Sequence, residues 1–521
     1  MHSVWFGSTR TTAGARVRLI PVAAVLAAML AALACLTPAT AGGAEATPSR
    51  PHGTLAVLGH AGRYLTDPAG QVVILHGLNM VSKVAPYEPA AAGFGSQAAT
   101  SLAADGFDVV RLGVIYGAVE PEPGVFSASY VASIKRTVAE LAAHGVYTLL
   151  DFHQDQMSTG FGGEGFPAWS VETDGLAVQR FAFPSGYTSS PALDAAFDNF
   201  WANRPGPGGV GLQVRYAAAW RYVAARFAGD PSVLGYDVIN EPWPAQSTDA
   251  QLGAFYARVI TAIRGVDRDH LIFYEPYVLF NFGQPTTLPR LSDAKLAMSF
   301  HDYCLNDPAT DPSGCAVSEQ LPVANALARS SATGDAIVET EFGSTDDLTD
   351  LGRTEGIADA HGISWIEWAY CGCGDPTGSV PPSIEALVAD PRLAATGANV
   401  DAAKLAVLSE PYPRVTSGTP ETYAFDDATR VMTYRYAVVA PDSRRFGVGS
   451  CTAIVVPRVQ YPNGYTVEVH GARVDSRPEA GVLTLAQLGA GRPGSAVTVE
   501  ITPGEGGHTR APDPAAIAAC R

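Results

Sequence analysis

A chain of 521 residues, 47% of them apolar, is long enough for one large domain with a buried core plus a smaller one. Its 51 acidic side chains outnumber 34 basic ones, for a formal net charge of −17. That balance argues against nucleic acid or an anionic membrane as the main partner, because phosphate binding needs clustered Lys and Arg. It suits solubility in an external medium.

The N-terminus reads as a targeting segment, with a signal peptide over 1–41. Arg10, Arg16 and Arg18 precede a run of mostly Ala, Leu and Val from Leu19 to Cys35, and Ala39-Thr40-Ala41 offers a small-x-small cleavage site. A secreted protein cut after Ala41 is expected. Lipid attachment at Cys35 competes on a poor lipobox, Ala32-Leu33-Ala34, and an uncleaved anchor is the third alternative. Beyond Cys35 six cysteines remain, an even number that suits disulfides in an exported chain. Pairing by locality gives Cys304–Cys315, Cys371–Cys373 and Cys451–Cys520, one of many possible connectivities.

Between about residues 50 and 410, apolar β-like runs alternate with helical patterns, the signature of a parallel sheet with crossover helices. The strand candidates are Val72–Leu78, Val109–Val114, Tyr147–Phe152, Leu234–Ile239, Leu271–Glu275, Leu296–Phe300, Ala336–Thr340 and Ser364–Ala369. Ala132–His144, Leu212–Phe227 and Asp249–Ile263 carry helical spacing. These elements fit an α/β (β/α)₈ barrel. The alternative, a doubly wound open sheet, lacks its Gly-rich phosphate turn after the first strand. From Gln154 to about Gly211 no strong period appears, yet the stretch is rich in Phe, Tyr and Trp. A loop this long is usually functional, and it is read as a substrate-shaping lid over the barrel mouth, with a packing subdomain as the alternative. Leu408–Gly418 reads as a turn-rich linker, and 411–521 as a small C-terminal β-sandwich built from Val431–Val439, Cys451–Val456, Tyr465–Val469 and Ala496–Ile501.

Two glutamates end strand-like runs about one hundred residues apart: Glu241 in Val-Ile-Asn-Glu-Pro-Trp and Glu341 in Ile-Val-Glu-Thr-Glu-Phe-Gly. A pair of carboxylates is what glycoside hydrolysis needs, one to protonate the leaving oxygen and one to attack the anomeric carbon or activate water. A barrel places such groups at the C-terminal ends of its strands. Glu339 competes with Glu341. Alternation along a strand points both the same way, so parity does not separate them, and Glu341 is preferred because Gly343 ends the strand. Arg111 can orient the nucleophile, with a structural ion pair as the bland reading. Asn240, His153 and Asp155 can reach sugar hydroxyls. Tyr303, in His301-Asp302-Tyr303, can donate to the nucleophile, and Trp368 can stack on a sugar ring. For Lys83 a solvated loop lysine competes with a hydroxyl donor. No metal motif and no Gly-x-Ser-x-Gly elbow is present, so neither a metal nor a cofactor is expected.

Asn240-Glu241-Pro242 and Thr340-Glu341-Phe342-Gly343 resemble glycoside hydrolase family 5 of clan A, whose members are (β/α)₈ retaining β-glycosidases. Arg111, Asn240, His301, Tyr303 and Trp368 fall where that family keeps active-site residues. Asn79-Met80-Val81-Ser82-Lys83, Asp151-Phe152-His153-Gln154-Asp155, Gly165-Phe166-Pro167-Ala168-Trp169 and Trp365-Ile366-Glu367-Trp368 resemble the secreted endoglycoceramidases, over about residues 50 to 520. The resemblance implies sugar contacts at Lys83, Asp155 and Trp169, and an apolar groove for a lipid aglycone. It implies a glycolipid or oligosaccharide substrate, no nucleic acid, at most transient membrane-surface contact, and a monomer. It further implies Glu241 as acid/base and Glu341 as nucleophile, with carboxyls about 5–5.5 Å apart. The alternatives are a family-5 glycosidase on a polysaccharide such as β-glucan, and a non-catalytic carbohydrate- or lipid-binding protein.

Overall fold

The computed structural model describes residues 55–304, 315–377, 380–489 and 494–521. The expected signal peptide and Cys35 lie outside the described residues. Eight parallel strands close into a barrel in chain order: β1 (His76–Met80), β2 (Val109–Ile115), β3 (Tyr147–His153), β4 (Val233–Asp237), β5 (Leu271–Tyr274), β6 (Leu296–Asp302), β7 (Ala336–Phe342) and β8 (Ser364–Glu367). Each strand is buried along its whole length, as a parallel sheet covered by helices must be.

The helices follow their caps. Ala128–Ala143 begins where the Ser127 hydroxyl accepts from the Tyr130 N–H, four residues before its apolar period becomes evident at Ala132. Its buried stripe of Tyr130, Ile134, Val138 and Leu141 keeps helical spacing against the barrel. Asp249–Arg264 starts with a capping box between Thr248 and Gln251. Among the described residues no helix is long and apolar enough to cross a membrane.

The first expected strand is in fact two. Val72–Val73 pairs antiparallel with Val415–Thr416, and only His76–Met80 enters the barrel. The apolar run serves two cores. Val72 and Ile74 pack with Tyr412, Met432 and Ile454, whereas Val73 and Leu75 pack with Val109, Tyr147 and Leu149 at the barrel floor. The stretch read as a linker contains a buried strand, Tyr412–Thr416, central to a seven-stranded sheet that also takes in Gly59–Ala61 and Tyr64–Thr66 from the N-terminal side. A second, four-stranded antiparallel sheet (Thr419–Asp426, Val431–Ala437, Tyr465–His470, Ala496–Pro503) packs on it around Tyr434, Val497 and Leu483.

The long aromatic stretch is mainly a packing subdomain. It contains the helix Pro191–Trp201, and Phe161, Phe166, Tyr187, Phe197, Phe200 and Trp201 are buried in the main core. Phe200 meets Phe166 and Phe255 edge-on at 5.0 and 5.3 Å. Trp201 donates to the Trp243 carbonyl and Trp243 to Asp194, which ties this helix to the segment carrying Glu241.

The disulfides join Cys304 to Cys315, Cys371 to Cys373 and Cys451 to Cys520. The last spans 69 residues and fastens the C-terminal helix Pro514–Ala519 to the β-domain. Replacing Cys520 by Ser is expected to lower unfolding free energy by about 2–4 kcal/mol in urea titrations, because the closed loop is long.

Two buried carboxyls set a pH trend. Burial pushes Glu367 up to about 7 although Lys404 lies 3.4 Å away, and burial likewise raises Glu385 to about 7. Between the ordinary glutamate range and pH 7 the folded chain then binds more protons than the unfolded one, so stability falls as pH rises through that window. A thermal scan is expected to show Tm dropping between about pH 5 and about pH 8, and Glu367→Gln is expected to flatten part of that slope.

Candidate active site

The barrel interior is organised around Arg111, the third residue of β2 and wholly buried. Its Nε donates to Asp237 at 2.9 Å and its Nη1 to Glu341 at 2.5 Å. Its Nη2 donates to Glu275 at 3.1 Å and Asn240 at 3.0 Å, and lies 3.2 Å from Asp151. Burial would weaken the guanidinium's hold on its proton, but Asp151, Asp237, Glu341 and Glu275 reverse that and raise its pKa. The same burial pushes Asp237 up to about 7, with Arg111 opposing and Glu275 and Asp151 adding to the rise.

Glu341 stands near the end of β7, with Oε1 on Arg111 and Oε2 accepting from the Tyr303 hydroxyl at 3.0 Å. Glu339 does not share this setting. A β-bulge between the two breaks the alternation, so Glu341 registers with His301 while Glu339 registers with Phe300. Burial, and then the charges of Asp359 and Glu319, hold Glu339 well above the usual carboxylate range, with His301 opposing.

Glu241 follows β4 in a left-handed backbone conformation at φ 40°, a strained geometry for a glutamate of the kind found at functional sites. Gln154 fixes that turn by donating to the Asn240 and Glu241 carbonyls, and Glu275 accepts from the Glu241 N–H at 2.9 Å. On the side chain, Oε1 accepts from Asn281 Nδ2 and meets His301 Nδ1, both at 2.9 Å. Burial raises the Glu241 pKa, hydrogen bonding and charge from His301 oppose the rise, and the negative charge of Glu341 adds to it. Burial acts to strip the proton from His301, but Glu275 and Glu341, together with the hydrogen bond to Glu241, hold it on. One oxygen of Glu241, one ring nitrogen of His301 and one oxygen of Glu341 all lie within 4.8 Å of one another.

A second polar cluster borders this pair. Lys83 is buried, with Nζ 2.6 Å from Asp155 and 2.8 Å from Asp375, and it lies 4.5 Å over the Trp368 ring. The solvated reading of Lys83 is therefore wrong. Burial alone would lower its pKa, and Asp155 and Asp375 raise it instead. Trp368 follows β8, stacks at 5.4 Å on His153 and donates to Glu385. His153 ends β3 with Nδ1 2.7 Å from Asp151. Burial opposes its charge, but Asp151 and Asp155 push it up to about 10.

The structure thus gathers Glu241, Glu341, Arg111, Asn240, His301, Tyr303, Lys83, Asp155, His153 and Trp368 at one end of the barrel. Trp169 is half-buried, donates its indole N–H to the Glu120 carbonyl and packs edge-on against Tyr116. Asp237, Glu275, Asn281 and Asp375 escaped the sequence reading. Glu275 carried a usable signal, as a carboxylate closing a strand candidate before a proline. Asn281 lies in the short 3₁₀ helix Val278–Phe282 and Asp375 in an irregular segment, neither with such a pattern.

Fold and site together define a glycoside hydrolase built on a (β/α)₈ barrel with a C-terminal β-domain. The chain belongs to glycoside hydrolase family 5: residues 67–374 match the family described as Cellulase (glycosyl hydrolase family 5), and residues 411–501 match its C-terminal domain. Over 468 residues it is 31% identical to Endoglycoceramidase I of Rhodococcus hoagii (strain 103S), covering 84% of this chain and 88% of that one. Among solved structures, the lactosyl-enzyme intermediate of endo-glycoceramidase II from Rhodococcus sp. aligns with a TM-score of 0.70 at 27% identity, over 85% of this chain and 99% of that one. The ganglioside GM3 complex of endo-glycoceramidase II from Rhodococcus sp. gives 0.68 at 26% identity with the same coverage.

Removing Arg111 would leave four buried carboxylates facing one another. Arg111→Ala is expected to cost roughly 3–5 kcal/mol in denaturant unfolding, more than typical large-to-small changes at helix surfaces, because uncompensated buried charge is left behind.

Proposed function

We propose that this family 5 enzyme is a secreted endoglycoceramidase, which hydrolyses the β-glycosidic bond between oligosaccharide and ceramide in glycosphingolipids. The observation that carries the chemistry is the held pair: Glu341 gripped by Arg111 and Tyr303, and Glu241 gripped by Asn281 and His301, with oxygens within 4.8 Å. Such closeness supports direct attack by one carboxylate, since an inverting enzyme needs about 6.5–9.5 Å to seat a water between them. Likeness to endoglycoceramidases along most of the chain supports the glycolipid substrate. The leader-like segment 1–41 and the three cysteine pairs support export, and the enzyme is taken to act as a monomer.

In this reading Glu241, kept protonated by burial and by the charge of Glu341, gives its proton to the glycosidic oxygen. Glu341 attacks the anomeric carbon, ceramide departs, and a covalent glycosyl-enzyme forms. Loss of the Glu341 charge on esterification lets Glu241 act as base, taking a proton from the water that releases the sugar with retained configuration. Arg111 and Tyr303 orient the attacking carboxylate, and Asn240, Lys83, His153, Asp155 and Trp368 bind sugar hydroxyls and the ring face.

Mature enzyme and Glu341→Gln should be incubated with glucosyl-, lactosyl- and ganglioside-type ceramides in mild detergent, with mass spectrometry of both phases. Intact oligosaccharide plus free ceramide from the wild type alone is the expected result. Cleavage of cello- or laminari-oligosaccharides without ceramide release would move the substrate to a polysaccharide. In kcat/KM, Glu241→Gln is expected to lose roughly 10²–10⁴-fold on the glycolipid and far less on an aryl glycoside, whose phenolate leaves without a proton.

A further inference from the structure

One carboxyl beside the reacting pair has no part in the bond-breaking steps. Glu164 lies in Gly163-Glu164-Gly165, a turn pressed against the end of β3 through two backbone bonds: Asp155 N–H to the Glu164 carbonyl at 3.2 Å, and Glu164 N–H to the Asp155 carbonyl at 3.0 Å. Only glycine permits that approach. A Cβ on Gly163 would sit 1.6 Å from the Asp155 carbonyl oxygen, and one on Gly165, at φ +118°, would sit 2.4 Å from Gln154 Cβ. The one side chain this turn delivers inward is a glutamate of 0% exposure, neither of whose oxygens is hydrogen-bonded within the protein. A buried polar group left unpartnered is costly, so its presence asks for a use.

Its neighbours define that use. Glu164 Oε1 lies 3.9 Å from His153 Nε2, and an Asp155 oxygen lies within 4.8 Å of both. The same His153 nitrogen is 3.5 Å from Asp155, whose Oδ2 also holds Lys83. Asp375, on the loop braced by Cys371–Cys373, takes the other side of Lys83, and the Tyr87 hydroxyl group also senses Glu164. Two cations, Lys83 and protonated His153, are thus already divided among Asp151, Asp155 and Asp375. A metal ion is a poor occupant, because the ammonium of Lys83 already sits on the Asp155 oxygen at 2.6 Å.

We propose that Glu164 is a positioning residue for the sugar subsite: as a neutral acid it leaves the His153 Nε2–H and the Lys83 ammonium directed at Asp155 and the incoming hydroxyls, and as a carboxylate it draws His153 away from them. This rests on the reading of Lys83, His153 and Asp155 as sugar contacts. Burial first, and then the charge of Asp155, hold the Glu164 carboxyl well above its usual range, while Lys83 and His153 oppose. On this inference, ionisation of Glu164 at higher pH weakens sugar binding.

The test is steady-state kinetics of the mature enzyme, Glu164→Gln and Glu164→Ala, on lactosylceramide and on an aryl β-lactoside, across the acid-to-alkaline range. Wild-type KM is expected to rise about tenfold on the alkaline side, whereas Glu164→Gln, permanently neutral and of the same shape, keeps a flat KM with kcat within about threefold of wild type. Glu164→Ala is expected to raise KM about tenfold at every pH. A Glu164→Gln variant whose KM follows the wild-type pH course overturns the inference, and this variant decides the matter even where Glu164→Ala fails to fold. Wild-type turnover of the aryl lactoside but not of lactosylceramide would remove only the ceramide reading, since the KM comparison on the aryl substrate still decides Glu164. Turnover of neither would remove the sugar-site reading and this inference with it.

Discussion

Everything at the mouth of this barrel depends on a single buried guanidinium. Arg111 is the common counter-charge for Asp151, Asp237, Glu275 and Glu341, and through Asn240 and Glu275 it also reaches the strained turn that presents Glu241. Four carboxylates in a dry interior would otherwise protonate or expel one another. The fork geometry of arginine matters here, because a lysine could not serve Asp237, Glu341, Glu275 and Asn240 at once from fixed directions. In the proposed mechanism the arrangement ties stability to chemistry: the ion that lets the acidic core exist is the ion that aims the attacking carboxylate.

The two reacting carboxyls then diverge through their surroundings. Glu341 is held by a cation and a phenol. Glu241 is held by Asn281 and His301, and the same His301 nitrogen lies 2.9 Å from Glu241 and 3.4 Å from Glu341. Two chemically identical side chains thereby acquire different work, which is how a single fold runs acid and nucleophile chemistry side by side. The Lys83–Asp155–His153 cluster repeats the theme of charges balanced inside the protein, and in the proposed function it is directed at sugar hydroxyl groups.

Much of this was legible in the amino-acid sequence because barrel strands write a short apolar run and then a functional residue. Asn240-Glu241-Pro242 and Glu341-Phe342-Gly343 stand at such ends, and so do His153, His301 and Trp368. What escaped had physical reasons. Strand parity could not tell Glu339 from Glu341, since a bulge has no simple local signature. Val72–Leu78 looked like one strand because both halves are buried, although they face different cores. The aromatic residues after Gln154 announced burial but not against what, and the Phe200–Phe255 packing is a tertiary fact. Glu164 was hidden because the two glycines that deliver it also made its segment look like irregular loop.

The central claim is that Glu341, and not Glu339, forms the bond to sugar. The most direct measurement is to inactivate the enzyme with an activated 2-deoxy-2-fluoro β-lactoside, which forms a glycosyl-enzyme that turns over slowly, and to locate the added mass by peptide sequencing. A single fluorolactosyl group on Glu341 is the predicted result. Label on Glu339, or steady turnover without any covalent species, would contradict it.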